Sequence, residues 1–401
     1  MLIVQKFGGS SVANTEKVMR VAGIIADTYC EGNDVVVVLS AQGDTTDELL
    51  EKAAAINPNP SKRELDVLLS TGEQISVALM GMALEKMGLP VVSLTGWQVQ
   101  MSTNFDYGNA RIRSVSTERI RQELDKRRIV VVTGFQGVNG TGDITTLGRG
   151  GSDTSAVAIA AALHADKCQI FTDVEGVFTA DPRKVAGARK LDEITYDEMM
   201  ELASLGAQVL HNRSVEMAKR YGVDLEVLSS YERKPGTKVK EVVKNVEQMK
   251  ISGIAKDNNV ARIAVVGVPD EPGIAFKLFR TLANSKINVD IILQSIDRNG
   301  TNDISFTVSE SDYEKAMELV AERKDSIGFK DLYGDKNVAK VSIVGAGMLT
   351  SSGVAATMFE ALSDAKINIQ MISTSEIKVS VLIDKGNADK AVQVIHNKFF
   401  N

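Results

Sequence analysis

The sequence predicts an α/β protein in which a parallel sheet lies between layers of helices and two smaller α+β units follow. Three observations predict this fold class. Short apolar strand candidates alternate with helical segments over the first part of the chain, as is typical of a parallel sheet that is covered on both faces. Beyond that part the chain contains an internal repeat, which indicates a duplicated unit. With 401 residues, the chain is long enough for two or three domains.

The strand and helix candidates of the first part follow each other in a regular order. Residues 2–7 are a buried strand candidate that ends at the turn Gly8-Gly9-Ser10-Ser11, and a helix with apolar residues at helical spacing follows. Residues 35–39 are a β-branched run that is typical of a central parallel strand. A capping-box pattern at 61–64 predicts a helix that reaches about Met87. Further strand candidates are residues 90–94, 129–132, 169–172 and 225–228.

The second part of the chain is predicted from a change of pattern. Residues 231–250 are rich in charge and contain Pro235-Gly236, which predicts a first domain over 1–235 and a linker over 236–250. Residues 279–289 then align with 359–369 at an offset of 80 (359 − 279). Each copy has the βαββαβ pattern, so we expect two domains, over 251–335 and 336–401.

Composition excludes several classes of protein. Apolar residues make up 44% and charged residues 24% of the chain, which excludes wholesale disorder. The net charge of −6 disfavours a nucleic-acid binder. The longest apolar run, 156–163, is too short for a membrane span, and the first residues turn polar too early for a secretory signal. Two cysteines and three histidines exclude a disulfide framework and a zinc cluster. We therefore expect a soluble cytoplasmic protein that binds neither nucleic acid nor a membrane.

Three turns rich in glycine and hydroxyl residues are candidates for a phosphate site. They are Lys6–Ser11, Thr145–Thr154, and Thr172–Phe178 with Asp181-Pro182-Arg183. Glycine allows backbone N–H groups to approach phosphate oxygens, and a helix N-terminus adds a favourable field. Ligands of open α/β sheets bind at the carboxyl ends of strands, where we expect these turns. The sequence contains no GxxxxGK[ST] or GxGxxG motif after a strand candidate.

The charged residues of these turns and of the 62–86 region suggest phosphoryl transfer. Lys6 offers a point charge to a phosphoryl group in transfer, and Arg149 offers a planar fork that suits a carboxylate. Asp153 and Glu73 are candidates to hold an ammonium group, although Asp153 is also a candidate N-cap and Glu73 a candidate solvated helix residue. Asp173 is a candidate to orient Mg²⁺ or a ribose. We interpret His164, His211 and His396 as structural, because they share no spacing.

Five blocks of sequence resemble the aspartate kinases within the amino-acid kinase family. They are residues 4–12, 37–46, 69–76, 146–153 and 171–183, in the family's order, and the repeat resembles the paired ACT domains of those enzymes. The resemblance covers essentially the whole chain. It implies an amino-acid-kinase-type sheet followed by two ACT domains, and phosphorylation of L-aspartate by ATP with Mg²⁺ to give 4-phospho-L-aspartate. This reaction would be the first step of the lysine, threonine and methionine pathway.

The resemblance also assigns roles to residues. It implies that Lys6 stabilises the phosphoryl group in transfer, and that Asp153, the second catalytic residue, occupies a position that holds aspartate or the reacting groups. Two positions depart from the family pattern, since Phe178 replaces a common tyrosine and Gln208 falls where Gly-Ala-Lys-Val-Leu is usual. Substrate contacts are expected at Ser40, Thr46, Glu73, Arg149 and Ser152, and nucleotide contacts at Lys6, Phe7, Gly8, Gly9, Thr172, Asp173, Phe178 and Arg183.

The ACT resemblance implies that the second part binds an effector, with lysine, threonine or both as candidates, and that the protein forms a homo-oligomer through these domains. Candidate effector contacts are Asp270, Gly273, Ile274, Ala275, Asn288, Val289 and Gln294 in the first copy and Val354, Ala355, Asn368 and Ile369 in the second. Two alternatives stay open at this stage: a non-catalytic amino-acid sensor, and a kinase for another small carboxylate. The sequence also leaves open whether Met249 starts a separate regulatory subunit.

Overall fold

The computed structural model describes residues 1–207, 209–243, 251–295, 300–349 and 351–400. Gln208 and Met249, which the sequence analysis singled out, lie outside the described residues. The chain divides into two compact units. Unit 1 comprises Met1–Phe178, Lys190–Ser204 and Gln208–Lys244, and unit 2 comprises Thr179–Arg189, Leu205–Ala207 and Asn245–Asn401.

Unit 1 contains an eight-stranded sheet and a small four-stranded sheet. Its strands are β1 Leu2–Phe7, β2 Asp34–Leu39, β3 Val91–Leu94, β4 Ser102–Thr103, β5 Ile112–Ser114, β6 Ile129–Thr133, β7 Gln136–Val138, β8 Ile144–Thr146, β9 Lys167–Thr172, β10 Glu193–Thr195, β11 Leu225–Ser229 and β12 Thr237–Lys240. Its helices are α1 Thr15–Cys30, α2 Thr45–Ile56, α3 Lys62–Lys86, α4 Glu118–Asp125, α5 Gly151–Leu163, α6 Tyr196–Leu202 and α7 Asn212–Tyr221. The strands and the long helix that the sequence predicts are confirmed, with ends shifted by at most two residues.

The large sheet has the order β10-β12-β11-β9-β1-β2-β6-β3, and every pair except β11/β12 is parallel. Alternate residues of the central strand β2 face a core that α1 and α3 complete, and the intervening residues of β2 are equally buried. Helix α5 packs against β1, β2 and β9. Burial of both faces explains why β2 is a continuous apolar run.

The linker predicted from residue 236 is wrong for its first residues. Thr237–Lys240 form β12, which pairs with β10 and β11 of the large sheet. The side chains of Thr237 and Val239 are fully buried, whereas Lys238 is exposed. This alternation is that of a strand with one face on the core, and the charged residues on its other face gave the segment the composition of a linker.

Helix α3 begins at a cap that the sequence predicts. The hydroxyl of Ser61 accepts a hydrogen bond from the backbone N–H of Glu64. By length and composition α3 is the one described helix that is apolar enough to cross a membrane, but 56% of its most apolar window is buried inside the protein. The core helix of a globular domain is buried in the same way, so the apolar composition of α3 is only weak evidence for a membrane span.

Unit 2 contains two four-stranded antiparallel sheets, with the orders β15-β16-β14-β17 and β13-β18-β20-β19. Its strands are β13 Gly253–Asp257, β14 Ala261–Pro269, β15 Ile292–Gln294, β16 Thr301–Val308, β17 Asp331–Asp335, β18 Val338–Val344, β19 Met371–Thr374 and β20 Lys378–Asp384. Its helices are α8 Ile274–Asn284, α9 Tyr313–Ala321, α10 Lys324–Ile327, α11 Val354–Asp364 and α12 Ala388–Phe400.

The repeat of 80 residues is confirmed in backbone geometry. Gly273 and Gly353 precede α8 and α11 with φ values of 94° and 84°. Lys286 and Lys366, just after the same helices, have φ values of 60° and 56°. Positive φ at a non-glycine residue is uncommon, so its recurrence at both lysines shows that the two copies share the backbone conformation at the ends of this helix.

The two copies differ in how their sheets are completed. In the first copy β17 follows α9 and pairs with β14. In the second copy the corresponding edge is formed by β13, which pairs with β18 although it precedes β14, the first strand of the other sheet. The predicted start of the first copy at residue 251 is therefore wrong for β13, which completes the sheet of the second copy. Ile254 of β13 accordingly lies in the core of the second sheet, with Ile343 and Leu362. The segment Thr179–Arg189 joins this core through Ala180 and Val185.

Candidate functional site

A cavity of about 700 Å³ lies at the carboxyl ends of β1 and β2 in unit 1. The first turns of α2 and α5 contribute to its wall, as do residues of α3 from Lys62 to Glu73. Helix N-termini carry unpaired N–H groups and favour anions. Nine of the residues that the sequence predicts for catalysis or binding line the cavity together: Lys6, Gly8, Gly9, Ser40, Thr46, Glu73, Arg149, Ser152 and Asp153.

Lys6 and Asp153 form the ion pair of the cavity. Lys6 Nζ lies 2.6 Å from Asp153 Oδ1, and each side chain is about one-tenth exposed. Lys6 comes from the end of β1, whereas Asp153 comes from the first turn of α5. The pair places a cation beside a helix N-terminus, where a second anion is favoured by the lysine charge and the free N–H groups alike.

Glu73 brings a buried carboxylate from α3 to the same cavity. Its Oε1 accepts a hydrogen bond of 3.0 Å from the backbone N–H of Ala41, while Oε2 is buried and has no hydrogen-bond partner among the described residues. Burial raises the pKa of Glu73 from 4.5 to about 7, and the bond from Ala41 opposes this shift. An unpaired, desolvated carboxylate oxygen in a cavity is suited to an ammonium group, which would supply both a donor and a compensating charge.

Arg149 lies on a turn that glycines make possible. Gly148 and Gly150 on either side of it have φ values of 77° and 68°, which favour glycine. A Cβ on Gly150 would lie 2.2 Å from the ring of His211, so no larger residue fits there. Arg149 is exposed, and the structure shows no ion pair of its guanidinium with any described residue. It is therefore available to a ligand.

Close approach of two backbones also requires Gly9. A Cβ at this position would lie 2.4 Å from the carbonyl oxygen of Ala41, and the carbonyl of Gly9 accepts a hydrogen bond from Gly43 N–H. The glycine turn after β1 is thus packed directly on the turn after β2.

The predicted nucleotide contacts are not all part of the cavity wall. Phe7 is fully buried and stacks on Phe171, with ring centroids 4.5 Å apart, which leaves only its backbone for a ligand. The hydroxyl of Thr172 accepts a bond from Val174 N–H, and Asp173 is exposed. Phe178 is the last residue of its unit 1 segment, whereas Arg183 belongs to unit 2 and bonds to Asp181.

The histidines have structural positions, as the sequence analysis expects. His164 ends α5 in the left-handed conformation, and His211 caps α7 while its ring packs against Gly150. His396 is fully buried in unit 2, where Nε2 lies 2.9 Å from the hydroxyl of Thr179 and the ring stacks on Phe400.

The sequence analysis missed Asp66, Lys62 and Asn109, which also line the cavity. Asp66 is buried in α3 and accepts hydrogen bonds from the backbone N–H groups of a loop residue and of the last residue of β8. The only signal in the sequence is spacing. Asp66, Ser70, Glu73 and Val77 share one helical face. The carboxylate at position 66 therefore lies on the same face as a core valine, where a charged residue is rare unless it is paired.

The donors in the cavity suit a divalent cation that is held in part by phosphates. No group of three or more His, Cys, Asp or Glu side chains that could hold a metal ion exists among the described residues. The cavity offers one carboxylate beside Lys6 and the hydroxyls of Ser40, Thr46 and Ser152. Mg²⁺ usually binds through substrate phosphates, water and one or two carboxylates, so this donor set fits a Mg²⁺–nucleotide complex.

The candidate effector residues of unit 2 are mostly at the ends of α8 and α11. Gly273 and Gly353 are exposed N-cap residues, whereas Ile274 and Val354 after them are core side chains that can offer only backbone N–H groups to a ligand. Asp270 Oδ1 accepts a bond of 2.9 Å from the amide of Asn302. The remaining predicted contacts are exposed or half-buried: Ala275, Asn288, Val289, Gln294, Ala355, Asn368 and Ile369.

Comparison with protein families matches both units. Residues 1–229 match the profile of the amino acid kinase family, and residues 263–323 and 341–399 match that of the ACT domain. The aspartokinase of Bacillus sp. (strain MGA3) is 49% identical over 398 residues, which is 99% of this chain and 97% of the relative.

Solved structures of similar fold include two of E. coli aspartokinase III, both 27% identical and both matched over the full length of either chain. The R-state complex with aspartate and ADP has a TM-score of 0.84. The T-state complex with lysine and aspartate has a TM-score of 0.77.

Proposed function

The chain belongs to the aspartokinases of the amino acid kinase family and carries regulatory ACT domains, and we propose that the cavity of unit 1 is where it phosphorylates L-aspartate with ATP. The observation that carries this assignment is the convergence in one cavity of the Lys6–Asp153 pair, the unpaired oxygen of Glu73 and the exposed Arg149. The cations Lys6 and Arg149 suit the phosphoryl group of ATP and the α-carboxylate of aspartate, and Glu73 suits the ammonium group of aspartate.

The reaction needs orientation and charge neutralisation rather than a general base. The side-chain carboxylate of aspartate is ionised at neutral pH, because its ordinary pKa is about 3.9. One carboxylate oxygen attacks the γ-phosphorus of ATP, the bond to the bridging oxygen breaks, and 4-phospho-L-aspartate and ADP result. Lys6 and the N–H groups at the start of α5 stabilise the negative charge that is distributed over the phosphoryl oxygens. Mg²⁺, bound with the nucleotide, neutralises the phosphates when present.

The substrate is held at its two α-substituents. Arg149 binds the α-carboxylate, since its guanidinium is exposed and its planar fork suits that group. Glu73 binds the ammonium group, which would occupy the position beside Oε2. The hydroxyls of Ser40, Thr46 and Ser152 bond to the reacting groups. Two charged contacts at fixed positions distinguish an amino acid from a simple dicarboxylate, which disfavours a kinase for another small carboxylate.

ATP binds along the glycine turn after β1. Gly8, Gly9 and the backbone of Phe7 contact the phosphates, and Thr172, Asp173 and Phe178 contact the nucleoside. Strand β9, which ends at Thr172, pairs with β1 in parallel register up to Phe171 and Phe7. The two strands therefore deliver their following turns to one edge of the sheet. A contact from Arg183 stays a prediction.

Unit 2 binds the effector. Lysine and threonine are the candidates, and the lysine complex of E. coli aspartokinase III supports the first of them. The exposed N-terminal residues of α8 and α11 offer N–H groups to an α-carboxylate, in agreement with the predicted contacts. We further propose a cytoplasmic homo-oligomer, paired through its ACT domains, that acts at the first step of lysine, threonine and methionine synthesis. The domain division 1–235, 251–335 and 336–401 stays a prediction apart from β12, which belongs to the large sheet, and β13, which completes the second small sheet.

A hydroxylamine trapping assay tests the proposed reaction. Incubation with MgATP, L-aspartate and hydroxylamine converts an acyl phosphate to a coloured hydroxamate, and we expect a signal that depends on aspartate. Repeating the assay with lysine, threonine and both identifies the effectors. Folded protein that binds ATP but yields no hydroxamate from aspartate would indicate another acceptor. Loss of ATP binding as well would favour the alternative of a non-catalytic sensor.

A further inference from the structure

Two neighbouring segments of unit 1 form the part of the cavity wall that carries Arg149. The first is the loop 107–111, and the second runs from β8 through the turn 147–150. The N–H of Ala110 donates a hydrogen bond of 2.8 Å to the carbonyl oxygen of Thr146, which joins the two segments. Residues of both segments line the cavity: Gly108, Asn109, Thr146, Gly148 and Arg149.

A carboxylate holds these two segments by their donors. Asp66 Oδ2 accepts hydrogen bonds from the N–H groups of Gly108 and Thr146, at 3.0 and 2.9 Å. Its Oδ1 accepts a third bond, of 2.7 Å, from the hydroxyl of Thr146. The residue is 1% exposed. Its two oxygens are therefore engaged by the wall itself rather than presented to a ligand.

A guanidinium holds the same two segments by their acceptors. Arg213, from the first turn of α7, donates from Nη1 to the carbonyl oxygen of Leu147 at 2.6 Å. Its Nη2 donates to the carbonyl oxygen of Ala110 at 2.8 Å, and Nη1 also lies 3.3 Å from Asn109 Oδ1. The loop and the Arg149 turn are thus held between an acid from α3 and a base from α7.

We propose that Asp66 and Arg213 are positioning residues that set the affinity for aspartate by fixing the turn that carries Arg149. The inference rests on the proposed function of Arg149. Glycines on both sides of Arg149 adopt positive φ, and glycine has the greatest backbone freedom of any residue. The turn therefore has little stiffness of its own. The external clamp supplies the order that a preorganised binding group needs.

Steady-state kinetics of clamp variants test this proposal. In Asp66→Ala and Arg213→Met we expect the KM for aspartate to rise at least about tenfold, with the KM for ATP within about twofold of the original value. Asp66→Asn should restore most of the affinity, because its carbonyl oxygen can accept both N–H bonds while its amide donates to the Thr146 hydroxyl. A normal aspartate KM in both clamp variants overturns the proposal.

A double variant shows whether Asp66 acts through Arg149. In an Arg149→Ala background, Asp66→Ala should not raise the aspartate KM further, since the group that it positions is gone. If the aspartate KM of the double variant rises by the product of the two single-variant factors, the proposal is overturned. Glu123→Ala is the matched control. Glu123 is a buried carboxylate of α4 with three cationic partners, one on the same helix and two just after it. Its loss should lower the Tm and leave the aspartate KM unchanged.

Tryptic cleavage after Arg149 provides a readout that needs no catalysis. Because the clamp orders this exposed arginine, we expect Asp66→Ala and Arg213→Met to be cleaved there at least about tenfold faster than the unmodified protein, and Glu123→Ala at the original rate. Equal cleavage rates overturn the clamp even if the protein is an active kinase. Faster cleavage together with absent aspartate-dependent activity supports the clamp and contradicts the proposed function instead.

Discussion

At the scale of single residues, Lys6 shows how the fold places a charged side chain where it can stabilise a ligand's charge. Its strand ends at the sheet edge where α5 begins, so the ammonium group faces Asp153 and the helix N-terminus at once. Both side chains of the pair are largely removed from water. Charge interactions are stronger under those conditions than at a surface, which suits Lys6 for stabilising the charge of a phosphoryl group in transfer.

The first prediction concerns Lys6→Ala. We expect kcat to fall by roughly 10²–10³, which is the usual cost of losing a preorganised charge contact. The fold should remain, because the strand keeps its backbone ladder. The hydroxamate assay gives kcat, and the far-UV circular dichroism spectrum checks folding. A kcat close to that of the unmodified protein would contradict the role of Lys6.

Glu73 is the second residue whose chemistry depends on burial. Its pKa of about 7 means that an empty site holds a partly protonated carboxyl group near neutral pH. Only the ionised form attracts an ammonium group. Substrate binding is therefore coupled to release of a proton from Glu73.

The second prediction is that the aspartate KM falls as pH rises through about 7, because ionisation of Glu73 then creates the partner of the ammonium group. Above that pH the KM should level off. Glu73→Gln should have a higher KM that does not change over this range. Initial rates at several pH values give the aspartate KM of both proteins. If Glu73→Gln keeps the pH profile of the unmodified protein, the assignment is contradicted.

The unliganded protein gives an independent check of the same group. A carboxyl whose folded pKa is raised above its ordinary 4.5 stabilises the fold below that value, and this contribution is lost as pH rises through about 7. Glu73→Gln should therefore gain stability relative to the unmodified protein between about pH 5 and pH 8, by up to about 3 kcal/mol. Denaturant unfolding at both pH values measures the difference.

At the scale of elements, the turn before α5 joins conformation to function. Gly150, in the left-handed conformation, is the N-cap of the helix, and the first turn from Gly151 lines the cavity. His211, which caps α7, fills the space where a side chain at position 150 would lie. Sequence analysis identified the glycines as a phosphate-type turn. Only the folded structure shows that His211, a helix cap 61 residues further along the chain (211 − 150), requires one of these glycines.

The third prediction compares two glycines with similar backbones. Gly150→Ala combines a strained φ with a contact of 2.2 Å to His211, whereas Gly142→Ala at φ 85° meets no atom within 4 Å. We expect Gly142→Ala to lose about 1 kcal/mol of unfolding free energy and Gly150→Ala about 2–5 kcal/mol, with a raised aspartate KM in the latter alone. Urea unfolding and kinetics measure both. Equal losses would contradict the steric argument.

At the scale of the whole molecule, the strand β13 is the feature that local patterns do not predict. It precedes the first ACT copy and pairs with β18 of the second. Its sequence is compatible with either sheet, since an edge strand needs only alternating burial and a free neighbour. The choice depends on which sheet lacks an edge strand, and that is known only when both copies are folded.

The fourth prediction tests the pairing of β13 with the sheet of the second copy. Ile254→Ala should destabilise the second sheet by about 2–5 kcal/mol, because it leaves a cavity among Val341, Ile343 and Leu362. Hydrogen exchange should then accelerate in β18 and β20 and stay unchanged in β14 and β16. Ile263→Ala, in the core of the first sheet, should show the reverse pattern. Faster hydrogen exchange in β14 of the Ile254→Ala variant would contradict the assignment of β13 to the second sheet.

The sequence by itself determined the class of fold, the order of its elements, the repeat of 80 residues and nine cavity residues. These follow from local periodicity, from glycine and hydroxyl turns at strand ends, and from motifs that keep their order along the chain. Tertiary structure alone decided the burial of Phe7, the membership of Arg183 in unit 2, the strand exchange of β13 and the clamp formed by Asp66 and Arg213. The reason is physical: each of these depends on a partner far away in sequence, and the burial and hydrogen bonds that such a partner supplies exist only in the folded chain.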